Sequence, residues 1–195
     1  ESAPAPLAER ALFGLYAAGA PYYTEATWAL ERRLGARAEV ISGFVDWEYV
    51  FGEARDLALS LRGRRKLLYS WEPHCATAGE PSAGGSATEP RCIRFSDVIA
   101  GAYDGYFARI AESMARFPGE IYVRPWAEMN APGSAWLPGS GRPRAGTREE
   151  FKAAWRHLVG FFRARGVRNL RFVFSPDAAE DASTVRVAEL WPGQG

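Results

Sequence analysis

The sequence lacks the features that mark several large classes of protein. It has no uninterrupted apolar run of about 18 residues, so no membrane span is predicted. Its formal net charge of +1 gives no electrostatic reason to expect nucleic acid or an anionic membrane as a partner. No Gly-x-Gly-x-x-Gly or P-loop motif follows the first predicted strand, so the usual nucleotide-site signature is missing. No cluster of His, Asp and Glu is evident, and we expect neither an essential metal nor another cofactor.

Cysteine is scarce as well, because Cys75 and Cys92 are the only two in the chain. They flank a segment rich in glycine, serine, alanine and proline, and a disulfide that closes this loop would imply an oxidising compartment. Two free thiols are the alternative, and a metal site is not favoured because only His74 lies nearby. Residues 1–11 resemble a linker or the start of a mature secreted chain, so we expect an extracellular protein.

The composition is otherwise that of one globular domain, which we assign to residues 12–195. The chain has 195 residues, of which 47% are hydrophobic, and this is enough to build a substantial core. Seven tryptophans and eight tyrosines are more than a core needs. Aromatic faces stack on the apolar faces of pyranose rings, so the excess favours carbohydrate as a ligand, although packing in the core is the alternative.

Apolar strands and amphipathic helices alternate along the sequence. The predicted strands cover residues 12–16, 39–45, 66–70, 121–126 and 170–174. Such alternation predicts a parallel sheet with crossover helices, either an open doubly wound sheet or a (β/α) barrel. The missing nucleotide motif and the polar or aromatic residues after four of the strands favour the barrel, whose active sites are built from such strand ends.

Three helix starts can be read from potential capping residues. Thr24 precedes a helix with apolar residues at helical spacing, and Ser96 precedes a longer apolar stripe that continues to Phe117. Thr147 and Glu150 have the spacing of a capping box. We expect one continuous helix after each of these three starts.

The stretch 121–130 combines a short apolar strand with residues that are costly to bury. Strand alternation sends Tyr122, Arg124 and Trp126 to one face, and Glu128 follows in phase if the extended geometry persists. These groups make more sense in a cleft that receives a polar ligand than in a core. We interpret Glu128 as an acid/base acting on a sugar; a strand-end salt bridge to Arg124 is the alternative.

Arg124-Pro-Trp-Ala-Glu-Met-Asn130 resembles the fourth-strand motif of glycoside hydrolase family 26, whose best-known members are endo-β-mannanases. Further segments resemble the same family in the same order: Phe44-Val-Asp-Trp47, Tyr69-Ser-Trp-Glu-Pro73, Gly101-Ala-Tyr-Asp104, Ala154-Trp-Arg-His157 and Phe172-Val-Phe-Ser-Pro176. The resemblance extends over essentially the whole chain. One departure is Ala127, which stands where many members have histidine.

The resemblance implies an α/β fold of the (β/α)8 TIM-barrel type and a retaining mechanism. It places the acid/base, Glu128, at the end of strand four and a glutamate nucleophile at the end of strand seven. Only about the first five β/α units are recognisable, and no residue matches the nucleophile. We therefore expect the chain to be a fragment of a longer enzyme, inactive alone, rather than a natural half-barrel.

The family resemblance also suggests a substrate, and the chemistry of the residues near the strand ends suggests contacts with it. We expect an endo-β-1,4-mannanase; β-glucanase or xylanase activity of the same family, or a non-catalytic carbohydrate-binding barrel, are the alternatives. The candidate contacts are stacking by Trp71, Trp126 and Trp136, hydrogen bonds from His74 and Asn130, and Arg124 holding the absent nucleophile ionised. Core packing is the alternative for each tryptophan, and a backbone contact is the alternative for His74.

Other carboxylates also follow predicted strands. They are Asp46, Glu48, Glu72 and Asp177. Strands two, three and five lie on the same side of the barrel as strand four, whereas the nucleophile must face Glu128 across the sugar, so we do not expect any of these carboxylates to replace it. An open sheet would also leave strands one and five as apolar edges, which predicts poor solubility or an edge-mediated dimer.

Overall fold

The computed structural model describes residues 11–73, 93–132, 134–139, 145–178 and 185–193. Its strands are β1 (Gly14–Tyr16), β2 (Val40–Asp46), β3 (Lys66–Glu72), β4 (Ile121–Pro125) and β5 (Leu170–Phe172). Its helices are α1 (Thr24–Leu34), α2 (Ala54–Leu59), α3 (Phe95–Ile99), α4 (Asp104–Met114), α5 (Arg148–Ala164) and α6 (Val187–Leu190). The strands form one parallel sheet in the order β1-β2-β3-β4-β5, which confirms the predicted parallel α/β architecture.

The two faces of the sheet differ in their surroundings. Along β4, Ile121 and Val123 are fully buried, whereas Tyr122 and Arg124 are half-buried. The buried strand residues pack in one cluster with apolar side chains of the helices, including Phe107 of α4. The opposite face is more open, and Phe44 of β2 is 47% exposed. One face therefore carries the core, and the other is partly exposed.

The strand order distinguishes the two architectures that the sequence left open. A doubly wound sheet reverses its strand order and carries helices on both faces. Here each strand pairs with the next one in the chain without reversal, and the apolar helix faces pack in the cluster on one side. Five such strands fit part of a (β/α) barrel, although the described residues do not close the sheet into one.

Two of the three predicted helix starts differ from expectation. The helix expected from Ser96 to Phe117 is wrong, because α3 ends after Ile99 and Gly101 adopts a φ of 78° before α4 begins. No side-chain cap hydrogen bond forms at the start of α1, where Tyr23 rather than Thr24 is the N-cap. The capping box is confirmed, since Thr147 Oγ1 accepts a hydrogen bond from the Glu150 amide and the Glu150 carboxylate accepts one from the Thr147 amide.

The apolar edges are present, but association through them stays a prediction. Tyr16 of β1 is 52% exposed, and its ring meets Phe44 edge-on with centroids 5.8 Å apart. Leu12 and Phe13, just before β1, are also exposed. Among the described helices, none combines the length and the apolar character that crossing a bilayer requires.

Candidate active site

The parallel register brings polar side chains together at the carboxyl ends of β2, β3 and β4. Asp46 is paired with Glu72 in the β2–β3 register, and Ser70 is paired with Arg124 in the β3–β4 register. The Arg124 guanidinium donates a hydrogen bond from Nη2 to Ser70 Oγ over 2.6 Å. The strand ends therefore place two carboxylates and one guanidinium along the same edge of the sheet.

Glu128 lies just beyond β4 in an unusual backbone conformation. Its φ is 56° and that of Trp126 is 51°, so two non-glycine residues adopt the left-handed region within three positions. The Glu128 amide donates a hydrogen bond to the Ser175 carbonyl oxygen over 2.8 Å, which ties this turn to the segment after β5. Its side chain is exposed, whereas Ala127 and Met129 on either side are buried. The turn thus isolates one carboxylate at the surface of the strand ends.

Glu72 and Glu128 are electrostatically coupled. Burial is the main reason that the pKa of Glu72 lies above its ordinary value, and the negative charge of Glu128 is the second cause. The positive charge of Arg124 opposes this rise in the pKa. Arg124 Nε is itself buried and has no hydrogen-bond partner among the described residues. These three side chains form a charged cluster suited to polar and proton-transfer chemistry.

A groove lies beside this cluster. It has a volume of about 420 Å³ and is lined by Tyr22, Phe44, Asp46, Glu72 and Trp136, among others. A second depression, of about 530 Å³, also has Tyr22 and Asp46 in its lining, together with Glu48, Tyr49 and Arg55. Carboxylates and aromatic side chains thus line the groove and the depression next to it, which is a suitable lining for a sugar chain.

Trp136 is the candidate stacking residue that remains partly exposed, and its contact with a sugar stays a prediction. It is half-buried in the wall of the groove, and its Nε1 donates a hydrogen bond to the Ala127 carbonyl oxygen over 2.9 Å. This bond attaches the indole directly to the turn that carries Glu128. The side chain is therefore held next to the candidate acid/base while part of it remains accessible.

The sugar contacts expected for Trp71 and Trp126 are wrong, because both side chains are fully buried. Trp71 stacks on Trp47 with ring centroids 5.1 Å apart, and its Nε1 donates a hydrogen bond to Tyr106. Trp126 packs among aromatic rings that include Trp47, at 5.4 Å, and Phe151, at 5.8 Å. The strand alternation used to place Trp126 beside Arg124 stops at Pro125, since the positive φ of Trp126 turns its side chain into the core.

The structure also corrects the role expected for Asn130. Its side chain is fully buried, its Nδ2 donates to the Asp177 carbonyl oxygen over 3.0 Å, and its Oδ1 accepts from the Asp177 amide over 2.7 Å. Both ends of the amide are therefore engaged by the backbone after β5. Asn130 links the two loops that follow β4 and β5, and because its side chain is fully buried it is not accessible to a sugar hydroxyl.

Tyr22 also lines the groove, although no sequence motif predicted it. It lies after β1, and its hydroxyl donates a hydrogen bond to Asp46 Oδ2 over 3.4 Å. A signal was available in Gly43, because a glycine inside a strand often marks the close approach of another backbone. A Cβ at Gly43 would collide with the carbonyl oxygen of Ala20, so the loop that carries Tyr22 packs directly on β2.

Three expected site residues, His74, Cys75 and Cys92, lie outside the described residues. The sugar contact of His74 and the disulfide between Cys75 and Cys92 therefore stay predictions. Within the described ranges, no group of three or more His, Cys, Asp or Glu side chains is arranged to hold a metal ion.

Comparison with known proteins gives one sequence relative and related solved structures. The chain is 29% identical over 160 residues to Endoglucanase H of Acetivibrio thermocellus, covering 82% of this chain and 16% of that protein. A β-mannanase from a symbiotic protist of the termite Reticulitermes speratus, complexed with gluco-manno-oligosaccharide, superposes with a TM-score of 0.57 at 17% identity. The YdhT protein from Bacillus subtilis superposes with a TM-score of 0.60 at 15% identity.

This chain spans only part of the length of the proteins it matches. The two structural matches cover 93% and 95% of this chain and 60% and 61% of the solved chains. At these identities they show a shared fold. No protein-family model matches the chain.

Proposed function

We propose that the chain contains part of the active site of a retaining glycoside hydrolase of the family 26 type, acting on β-1,4-mannan. The observation that carries the proposal is the exposed carboxylate of Glu128, presented at the end of β4 beside Glu72 and the groove. The backbone strain of the Glu128 turn adds support, because such strain concentrates at functional sites. The similarity to a β-mannanase fold agrees with the substrate class.

In the proposed reaction, Glu128 acts first as an acid and then as a base. Its carboxyl group donates a proton to the glycosidic oxygen while a nucleophilic carboxylate attacks the anomeric carbon, and the bond from that carbon to the leaving oxygen breaks. The Glu128 carboxylate then takes a proton from water, whose oxygen displaces the enzyme carboxylate from the anomeric carbon. We assign the nucleophile to a glutamate on a strand outside this chain.

The groove residues have the chemistry needed to bind a neutral polysaccharide. Trp136 offers part of its indole face to a pyranose ring, and Asp46 and Glu72 offer acceptors for sugar hydroxyl groups. Tyr22 contributes a second aromatic ring to the same wall and holds one Asp46 oxygen through its hydroxyl. We propose that mannosyl units next to the cleaved bond occupy this groove.

The test uses the full-length protein, including the strand that would carry the nucleophile, and compares it with its Glu128→Ala and Glu112→Ala variants. Glu112 is an exposed carboxylate on α4 that lies outside the groove, so its replacement controls for surface charge. We expect Glu128→Ala to lower kcat on mannan by about 10²–10⁴-fold, with Glu112→Ala unchanged. Azide should restore part of the activity of Glu128→Ala on an activated aryl mannoside, because azide attacks the anomeric carbon of the glycosyl-enzyme in place of water and needs no base to remove a proton.

The same assays discriminate the alternatives. Full activity of Glu128→Ala on mannan would refute its assignment as the acid/base. A higher kcat/KM on mixed-linkage β-glucan or xylan than on mannan would assign that polysaccharide as the substrate instead. The similarity to Endoglucanase H gives a specific reason to include the glucan. Polysaccharide binding without hydrolysis by the intact protein would favour a non-catalytic carbohydrate-binding barrel. Activity should survive treatment with EDTA.

A further inference from the structure

A separate cavity lies at the opposite end of the sheet from the candidate active site. Its volume is about 410 Å³, and it lies where α1 ends and β3 begins. Its walls include one tryptophan, one glutamate and three arginines: Trp28, Glu31, Arg32, Arg37 and Arg65. Arg65 immediately precedes β3 and Glu72 ends it, so the length of this strand, roughly 20 Å, separates the cavity from the groove.

The cavity carries an excess of positive charge. Glu31 and Arg65 are both buried, and Arg65 Nη2 lies 3.1 Å from each carboxylate oxygen of Glu31. Glu31 Oε1 also accepts a hydrogen bond from the Ala38 amide over 2.8 Å. Arg32 and Arg37 are exposed, and neither pairs with a carboxylate of the described part of the chain. The single acidic wall residue is therefore neutralised, which leaves two guanidinium groups in excess.

Arg65 also retains unused hydrogen-bonding capacity. Its side chain is only 4% exposed, yet Nη1 has no hydrogen-bond partner among the described residues. An unpaired buried donor is unfavourable, and a guanidinium group presents a planar fork that matches the oxygens of a carboxylate or phosphate. Arg65 is thus a wall residue of this cavity whose guanidinium group has one donor without a partner among the described residues, and such a group suits an oxyanion.

Trp28 adds an apolar surface to the same cavity. Its side chain is half-buried on α1, and no ring–ring or cation–π contact is recorded for it within the described ranges. An indole face packs against the apolar face of a pyranose ring, whereas a free inorganic oxyanion gains nothing from it. The combination of tryptophan and arginines therefore favours an oxyanion attached to a sugar ring.

We propose that this cavity is a binding site for a uronic acid, with its carboxylate on the arginines and its ring against Trp28. Its volume lies within the range of small-molecule sites. The cavity binds this ligand but does not cleave it, because its only carboxylate, Glu31, is held by Arg65 and the Ala38 amide. The site would attach the protein to acidic polysaccharide chains independently of the groove near Glu128.

The test measures binding of glucuronic acid, glucose and inorganic phosphate to the intact protein by titration calorimetry or NMR at matched ionic strength. We expect glucuronic acid to bind more tightly than either of the other probes. Arg37→Glu and Trp28→Ala should each weaken its binding by at least about tenfold, the loss expected from removing one charged or stacking contact. Arg33→Glu is the matched control, because Arg33 is exposed on the same helix and does not line the cavity.

Each other outcome overturns the proposal. If glucose bound as tightly as glucuronic acid, the arginines would not recognise the carboxylate. If phosphate bound as tightly and Trp28→Ala had no effect, the sugar ring would not contribute to binding. An equal loss in Arg33→Glu and Arg37→Glu would indicate general attraction of anions to a basic surface. Thermal unfolding of each variant separates loss of the site from loss of the fold.

Discussion

At the residue scale, the backbone at Trp126 and Glu128 divides the strand-end motif between core and surface. Both residues have positive φ angles, and the chain between them turns sharply enough to bury one side chain while exposing the other. Trp126 therefore packs in the core beneath the sheet end and anchors the turn there, whereas the Glu128 side chain is exposed to solvent. The same motif contributes to stability through its aromatic residue and to the proposed chemistry through its carboxylate.

The two tryptophans nearest the candidate site should respond differently to replacement. Trp126→Ala should lower the free energy of unfolding by about 3–5 kcal/mol, because it leaves a cavity among packed aromatic rings. Trp136→Ala should cost less stability and instead raise KM for the polysaccharide, since its ring lies in the groove wall. Urea denaturation and steady-state kinetics measure both quantities. A Trp126→Ala protein with unchanged stability and raised KM would contradict the burial.

Asp56 is a buried carboxyl group on α2 that should make stability depend on pH. Its carboxylate accepts hydrogen bonds from the Tyr49 and Tyr69 hydroxyls and from the Gly52 amide, at 2.6, 2.9 and 2.7 Å. Burial outweighs these bonds and raises its pKa to about 6. The folded protein therefore holds this proton more tightly than the unfolded chain, whose Asp pKa is about 4.

The sign of this effect follows from proton linkage. The contribution of Asp56 to stability is complete below about pH 4 and is lost as the pH rises through 6, by up to about 3 kcal/mol. Asp56→Asn cannot titrate at this position. The unfolding free energy of the wild type minus that of the variant should therefore fall by up to about 3 kcal/mol as the pH rises across this window. Urea denaturation at several pH values measures it. A difference that stays constant from pH 4 to pH 7 would show that the pKa of Asp56 is not raised.

At the element scale, hydrogen bonds between loops hold the candidate site together. The Glu128 amide bonds to the Ser175 carbonyl, and Asn130 bonds to the Asp177 backbone, so the segment after β5 supports the turn after β4. The hydrogen bond from Trp136 to the Ala127 carbonyl attaches the groove wall to the same turn. Two other segments, the one after β5 and the one that contains Trp136, therefore hold the turn that carries the exposed carboxylate of Glu128.

Two threonines that look alike as helix caps should differ in their effect on stability. Thr147→Ala removes the hydrogen bond that Thr147 Oγ1 accepts from the Glu150 amide at the start of α5, and it should cost about 0.5–2 kcal/mol of unfolding free energy. Thr24→Ala should cost clearly less, because no side-chain cap hydrogen bond forms at α1. Chemical denaturation of the two variants provides the comparison. Equal losses would show that Thr24 also caps its helix in solution.

At the scale of the whole molecule, the sheet has one face packed in the core and one face that is partly uncovered. Its edge strands, β1 and β5, each have only one neighbouring strand among the described residues. Exposed apolar groups at β1, such as Tyr16, lie beside unpaired backbone groups. A sheet edge of this kind invites pairing with another chain.

We expect the isolated 195-residue chain to self-associate through these edges. Tyr16→Lys places a charge on β1 and should weaken association, whereas Ile99→Lys, on an exposed position of α3, should not. Sedimentation velocity over a range of protein concentrations measures the effect. A monomer with a sharp and reversible thermal transition would refute the expectation.

The sequence alone determined the elements whose signals are local. Apolar runs predicted the five strands, the spacing of Thr147 and Glu150 predicted a capping box, and a strand-end motif identified Glu128 as the residue to examine. These predictions succeed because strand periodicity and capping depend on neighbours within a few positions. The prediction of a single helix from Ser96 failed because the apolar stripe continues across Gly101, where the backbone does not.

Only the tertiary structure decided which side chains of the motif enter the core. Trp126 is buried because the positive φ after Pro125 ends the strand alternation. Asn130 forms hydrogen bonds with the backbone of Asp177, which is 47 positions away in the chain. Tyr22 reaches the groove because Gly43 lets its loop approach β2. Such contacts join parts of the chain that are distant in sequence, so no local pattern predicts them. The strand that places Glu128 at the sheet edge, in contrast, is predicted from ten consecutive residues, 121–130.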